Sequence, residues 1–181
     1  ERPIYSQDGW QISSQAQWSP DGQYVAVNVV NDITRKGSLW VGAASGAGGE
    51  MIADLGSPYD IWFSGGLGSA DSTRVMAIDG ADVIPAWSPD GAWIAFSGQG
   101  KLHVVRPDGS QQTDLLEVEV LSTVSWSPDG RYLLFNAGEE SQAYLLDFAA
   151  ALMDPGQVQA APLAVDPDLY AWFYAWQPVL P

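Results

Sequence analysis

The chain has 181 residues and is strongly acidic: 22 Asp and Glu stand against seven Lys and Arg, and the net charge is −15. This charge repels phosphate backbones and argues against nucleic acid as a partner. The lack of cysteine excludes disulfides and thiolate metal sites, and no apolar run approaches the roughly 20 residues of a membrane span. A hydrophobic content of 46% is enough for a single packed domain over residues 1–181.

One pentapeptide, Trp-Ser-Pro-Asp-Gly, occurs three times, at residues 18–22, 87–91 and 126–130. Pro favours the first central position of a type I turn, Asp tolerates the second, and Gly takes the left-handed conformation that follows. Each copy therefore predicts a tight hairpin turn. The residues expected to define the repeat are Trp18, Asp21, Gly22, Trp87, Asp90, Gly91, Trp126, Asp129 and Gly130. Residues 176–178, Trp-Gln-Pro, form an eroded fourth copy.

The other motif positions also have a physical role. The tryptophan is large and flat, and we expect it to pack as a wedge between neighbouring sheets. The Ser hydroxyl and the Asp carboxylate can hydrogen-bond backbone N–H groups that the turn leaves free.

Strand-like segments recur in the same order after each turn. Second strands are predicted at 24–29, 93–97 and 132–136, third strands at 38–41, 101–105 and 143–146, and fourth strands at 51–55, 113–116 and 161–165. Turn-rich links at 44–49, 107–109 and 154–156 separate the third strands from the fourth. Four short antiparallel strands at a period near 40 residues are typical of a β-propeller blade, whose sheet needs neighbours to bury both faces.

The predicted fold is therefore all-β, a small or partial β-propeller of about four four-stranded antiparallel blades. Regular blades are expected at about 14–56, 85–121 and 122–178. The wider gap between the first two motifs leaves residues 57–84, which we interpret as a degenerate blade without its own turn motif. The alternative is a long insertion in the first blade.

The pentapeptide and the apolar strand after it, as in residues 87–96, resemble the repeats of the TolB C-terminal propeller and of the propeller in prolyl oligopeptidase-type peptidases. The resemblance runs from about Gln15 to Pro178. It implies a fold and not a function, because partners and substrates vary widely among such propellers. Six blades are common in that family, and this chain supplies about four. It can be a small closed ring, part of a longer chain, or an open array that another copy completes.

Catalysis finds little support in the sequence, and we expect no enzymatic activity. No serine has glycine at both −2 and +2, so the nucleophile elbow of a serine hydrolase is absent. His103 is the only histidine, which permits neither a triad nor a two-histidine metal site, and its strand-like context favours a structural role. The Gly-rich residues 42–49 lack the lysine of a phosphate loop and are interpreted as a hairpin link.

Acidic pairs offer a second route to chemistry. Glu117 and Glu119 would share a strand face, and Glu139 and Glu140 would lie in a loop. A solvated surface is favoured over a glycosidase dyad or a hard-cation site for both pairs. No cofactor is expected, with Ca²⁺ held by loop carboxylates as the alternative.

Aromatic residues outside the repeated core positions mark a candidate partner or ring-closure surface, made of Trp10, Trp62, Trp172, Tyr174 and Trp176. The segment 169–176 is the expected closing strand, within this chain or in a neighbour's sheet. The leading hypothesis is a non-catalytic propeller that associates with a protein partner or with further copies of itself. Few lysines and no cysteine favour an extracellular, cell-surface or periplasmic location. A carbohydrate-binding module that takes a glycan, or the ancillary propeller of an exported hydrolase, are the alternatives.

Overall fold

A computed structural model describes residues 10–12, 16–31, 33–34, 36–56, 84–118, 121–138 and 142–163. These residues form three antiparallel sheets, which we name blades 1, 2 and 3 in chain order. The predicted all-β fold with four-stranded blades is confirmed. The predicted blade boundaries over residues 57–83 and 164–181, including the degenerate blade and the eroded motif, lie outside the described residues and stay predictions.

Blade 1 has an inner strand in two pieces. Its strands are β1 (Trp10–Ile12), β2 (Gln17–Trp18), β3 (Tyr24–Asn31), β4 (Gly37–Ala43) and β5 (Gly49–Gly56). Both β1 and β2 pair antiparallel with β3, with Trp10 opposite Asn31 and Trp18 opposite Val25. They therefore occupy one position of a four-stranded sheet. The Gly-rich link between β4 and β5 is a hairpin, as predicted.

Blades 2 and 3 repeat the same strand order. Blade 2 contains β6 (Ala86–Trp87), β7 (Ile94–Gly98), β8 (Lys101–Val105) and β9 (Thr113–Glu117). Blade 3 contains β10 (Leu121–Trp126), β11 (Tyr132–Ala137), β12 (Gln142–Asp147) and β13 (Ala161–Pro162). In every blade the motif tryptophan pairs with the residue seven positions later, which is Val25, Ile94 or Leu133.

A short helix, α1 (Phe148–Met153), follows β12 and was not predicted. Its sequence, Phe-Ala-Ala-Ala-Leu-Met, is rich in helix formers, and Asp147 caps it by accepting a hydrogen bond from the Ala150 N–H. These two signals could have identified the helix. The fourth strand of blade 3 is described over residues 161–162, and residues 164–165 of the strand predicted at 161–165 lie outside the described residues.

The core lies between the blades and not within any one of them. One cluster joins blade 1 to blade 2 and consists of Ala26, Leu39, Val41, Ala53, Leu55, Ile94, Phe96 and Val105. A second cluster joins blade 2 to blade 3 and includes Leu102, Val104, Leu115, Leu133, Phe135 and Leu146. Since side chains alternate along a strand, blade 2 uses one face for each cluster. The three blades therefore pack directly on each other in chain order.

The three motif turns have the same hydrogen bonds. In each, the Ser hydroxyl donates to the Asp carboxylate at 2.6 Å. The same Ser oxygen accepts from the backbone N–H five residues later, and the Asp oxygen accepts from the N–H two residues later. The glycine has φ of 70° in all three turns. This geometry confirms the predicted turn and its use of Ser and Asp to bind free N–H groups.

Replacing Ser88 by Ala tests the contribution of this network. Ser88 is buried, and its loss leaves the buried Trp93 N–H without an acceptor, so we expect the free energy of unfolding to fall by about 1–3 kcal/mol. Urea denaturation followed by tryptophan fluorescence measures the change. Ser110→Ala is the matched control, because Ser110 makes the same 2.6 Å bond to an aspartate in an exposed turn. It should cost less than about 0.5 kcal/mol, and equal losses in the two variants would contradict the prediction.

Candidate functional site: the blade junctions and the exposed corner of blade 1

The motif aspartates are held in their charged form. The pKa of Asp21, Asp90 and Asp129 lies below the ordinary value of 3.8, first because a Ser hydroxyl donates to each carboxylate and second because a backbone N–H does. A carboxylate that accepts such bonds resists protonation. The acidity of these three positions is therefore part of the turn structure.

This electrostatic arrangement predicts a pH dependence of stability. A carboxyl group whose pKa is lowered in the folded chain stabilises it above the unfolded pKa of about 4, and that stabilisation is lost as the pH falls through the folded pKa. The melting temperature should therefore fall below about pH 4. In the Asp90→Asn variant the side-chain oxygen can still accept the hydrogen bonds of the turn, but the side chain no longer titrates. The melting temperature of this variant should therefore fall less steeply at acid pH. Calorimetry from pH 7 to pH 2 measures the melting temperatures of both proteins. If the melting temperature of the variant falls as steeply as that of the unchanged chain, Asp90 does not contribute to the acid dependence of stability.

Each junction between blades depends on the motif tryptophan of the later blade. Trp87 donates from Nε1 to the Gln17 carbonyl at 3.1 Å, and Trp126 donates to the Ala86 carbonyl at 2.9 Å. Both acceptors belong to the residue immediately before the preceding motif tryptophan. The predicted role of the tryptophan as a wedge between sheets is therefore observed at Trp87 and Trp126.

The proline and glycine of successive turns also meet at these junctions. A Cβ atom on Gly91 would lie 3.8 Å from Cδ of Pro20, and one on Gly130 would lie 3.7 Å from Cδ of Pro89. The glycine of each of these turns thus faces the proline of the turn before it. One junction therefore has a donor side, made of Trp and Gly, and an acceptor side, made of a carbonyl and a Pro.

Blade 1 carries the donor side of such a junction at Trp18 and Gly22. The described residues do not include an acceptor side that faces it. Trp18 is 62% exposed, whereas Trp126 is 7% exposed. A Cβ atom on Gly22 would meet nothing within 4 Å. The described residues include no sheet that precedes blade 1, so the wedge role expected of Trp18 stays a prediction. We call Trp18 and Gly22 the blade 1 corner.

Aromatic stacking reinforces the junction between blades 2 and 3. The Phe148 ring of α1 lies edge-on to Trp126 at 4.6 Å and to Trp93 at 5.7 Å. The Arg106 guanidinium lies over the Trp93 ring, 4.0 Å from its centroid. Edge-to-face pairs and cation–π contacts of this kind stabilise the junction in addition to the free energy gained by burying the rings.

Phenylalanine substitutions at the three motif tryptophans separate the closed junctions from the open corner. Trp87→Phe and Trp126→Phe each remove the N–H that a carbonyl accepts, and we expect each to lower the free energy of unfolding by about 1–3 kcal/mol. Trp18→Phe, the matched control, should change it by less than about 0.5 kcal/mol. Denaturant titration of the three variants measures the difference. A large loss in Trp18→Phe would mean that this side chain is structurally engaged.

His103 lies in β8 and is buried, as its strand-like sequence context predicted. Its Nδ1 is 2.8 Å from Oδ1 of Asp114, its Nε2 is 2.8 Å from the Gly98 carbonyl, and its ring stacks on Phe96. Lys101 donates to the other Asp114 oxygen at 2.8 Å, and this bond is the main cause of the lowered pKa of Asp114. Both ring nitrogens face acceptors of the fold, so the imidazole serves to join β8 to its neighbours.

A polar groove of about 960 Å³ lies between β9 and the loop before β13. Its lining includes Lys101, Gln112, Asp114, Glu117, Gln157 and Gln159. These groups can hydrogen-bond a polyhydroxylated ligand, but the lining contains no aromatic ring on which a sugar could stack.

The remaining predicted sites are tested only in part. Of the predicted aromatic surface, the backbone of Trp10 lies in β1, and Trp62, Trp172, Tyr174 and Trp176 lie outside the described residues. Glu117 is exposed at the end of β9, whereas Glu119, Glu139 and Glu140 also lie outside them. Within the described ranges, no three His, Asp or Glu side chains are grouped as a metal site, so Ca²⁺ binding stays a prediction. No described helix is long and apolar enough to cross a membrane.

Comparison with solved structures identifies the architecture. TolB from Acinetobacter baumannii aligns with a TM-score of 0.52 and 19% identity, covering 82% of this chain and 32% of that chain. The fold is that of a partial β-propeller. The propeller domain of the Trilobed protease from Pyrococcus furiosus, which has an open velcro topology, aligns with a TM-score of 0.53 and 13% identity, covering 86% of this chain and 42% of that chain.

A chain of a nidogen/laminin complex also aligns, with a TM-score of 0.54, 10% identity, and coverage of 82% of this chain and 47% of that chain. The chain thus spans between about a third and a half of the solved propellers it matches. No protein-family model matches the sequence, and no curated protein matches it. At these identities, the similarity confirms the predicted TolB-like propeller fold and assigns no activity.

Proposed function

We propose that this chain is a non-catalytic propeller that associates with proteins outside the cytoplasm. The observation that carries the proposal is the blade 1 corner, where Trp18 is 62% exposed, whereas the indoles of Trp87 and Trp126 bond carbonyls of the preceding blade. Exposed tryptophan contributes strongly to protein interfaces, because it combines a large apolar surface with one directional hydrogen bond.

Two further observations agree with this proposal. The propeller domain of the Trilobed protease from Pyrococcus furiosus has an open velcro topology, so a propeller similar to this chain exists with an open topology. Among the described residues, the His103 and Asp114 pair could serve acid–base chemistry, but it is engaged in the contacts between β8 and its neighbours. The location outside the cytoplasm rests on composition, namely few lysines and no cysteine.

Site-specific photo-crosslinking tests the proposal. A photo-reactive phenylalanine analogue in place of Trp18 should give crosslinked protein adducts in cells that produce the protein, and these adducts should be found in the exported fraction. The same analogue at Ile33 is the control, because Ile33 is 82% exposed and lies outside the corner. No adduct at position 18, equal adducts at both positions, or a cytoplasmic protein would each contradict the proposal.

Carbohydrate binding is the second candidate, and the polar groove beside β9 favours it. Carboxylate and amide groups such as those of Glu117, Gln157 and Gln159 can each bond a sugar hydroxyl. Calorimetric titration with a panel of neutral oligosaccharides should then show binding that Glu117→Gln weakens about tenfold, as expected for the loss of a charge-assisted hydrogen bond. The absence of heat with every sugar would remove this candidate.

A further inference from the structure

His103 is a buried titratable side chain whose two ring nitrogens both lie against oxygen atoms of blade 2. Its Nδ1 is 2.8 Å from Oδ1 of Asp114 on β9, and its Nε2 is 2.8 Å from the Gly98 carbonyl oxygen at the end of β7. The residue is 4% exposed, and its ring stacks on Phe96 with a centroid distance of 5.0 Å. The ring therefore makes its hydrogen bonds inside the fold.

Both of these oxygens can only accept a hydrogen bond. A backbone carbonyl carries no proton, and neither does an ionised carboxylate. Asp114 is held in its ionised form, because Lys101 donates to its other oxygen and is the main cause of the lowered pKa of Asp114. A neutral imidazole has one N–H, so its other nitrogen would place a lone pair against an oxygen. Only an imidazolium, with an N–H on each nitrogen, satisfies both contacts.

The charges around the ring are balanced when the ring is protonated. Lys101 lies opposite Glu117 in the β8–β9 ladder, so Glu117 and Asp114 supply two negative charges against those of Lys101 and an imidazolium. Strand β7 contains no charged residue. The blade 1 side chains that cluster with β7 and β8 are apolar, and Asp54 of β5 is exposed. A buried charge is tolerated where it is paired and hydrogen-bonded in this way.

The contact also lies at an irregularity of the sheet. The β8–β9 ladder shifts register between Leu102 and His103, so Leu115 has no residue opposite it and Asp114 is the partner of His103. A bulge disrupts the backbone ladder locally. The imidazole therefore links β9 to β7 at the point where the backbone pairing is interrupted.

We infer that the folded chain holds His103 as an imidazolium at neutral pH, and that its proton is a pH-sensitive switch in the contact between β7, β8 and β9. When the proton is lost, one of the two nitrogens can no longer donate. Either the carboxylate or the carbonyl then faces a lone pair, and a buried acceptor without its donor destabilises the fold.

The direction of the pH dependence follows from the protons bound in the two states. An unfolded histidine releases its second proton at about pH 6.5, whereas the folded chain needs that proton for both contacts. The folded state then binds more protons than the unfolded state, and stability falls as the pH rises. The ordinary pKa values of Asp, Glu, Lys, Arg and Tyr lie outside the range from about pH 6 to 9. His103, the only histidine, is therefore the side chain expected to titrate there.

Nuclear magnetic resonance of the chain labelled with ¹⁵N-histidine tests the charge state directly, because the label reports one imidazole. At about pH 7.5 the folded chain should show both ring nitrogens protonated, whereas the urea-unfolded chain should show the mixed tautomers of a neutral ring. A folded chain with one protonated nitrogen and one lone-pair nitrogen at this pH would overturn the inference.

Melting temperatures measured by calorimetry from about pH 6 to 9 test the consequence for stability. We expect the unchanged chain to lose at least about 3 °C over this range. The Asp114→Asn variant should be less stable at pH 6 but lose less than about 1 °C, because its amide can donate to a neutral imidazole.

Lys101→Gln is the matched control for these melting experiments. It removes a charge beside the same carboxylate and keeps both oxygens that face His103, so it should retain the alkaline loss of stability. An unchanged chain with a constant melting temperature, or an equal loss in Asp114→Asn, would overturn the inference. Circular dichroism at pH 6 checks that the variants are folded, and the labelled unchanged chain decides the question if one of them is not.

Discussion

The hydrogen bond between the Ser hydroxyl and the Asp carboxylate of the motif turn is the constraint on which the rest of the structure depends. At 2.6 Å it holds both side chains over the turn, where they accept backbone N–H groups from the start of the next strand. The turn then determines the register between the inner strand and the second strand. Because the tryptophan is adjacent to the turn, the same register directs its indole toward the preceding blade.

Stability in this fold is therefore shared between blades. Side chains such as Phe96 and Leu133 are completely buried, yet each is covered by residues of a different sheet. A single blade cannot bury both of its faces, which is why propellers and other repeat proteins need neighbours. The proposed association with another polypeptide rests on the one motif tryptophan that is exposed, Trp18.

Much of the fold could be predicted from the sequence, because the repeat places turn formers and apolar strands at fixed offsets. The strand over residues 101–105 was predicted with its observed bounds, and His103 was assigned a structural role that its two hydrogen-bonded nitrogens support. The helix after β12 was missed although its alanine-rich sequence and Asp147 cap were visible. The exposed corner was also missed, since Trp18 has the same local sequence as Trp87 and Trp126.

The sequence by itself determined the turn, the strand order and the register, because these depend on contacts between residues close in the chain. Only the tertiary structure decided which copies of the motif are buried. Burial depends on whether another blade lies alongside, and the five residues of the motif carry no record of that neighbour. Trp18 and Trp126 are therefore chemically equivalent in the sequence, but one is 62% exposed and the other 7% exposed in the fold.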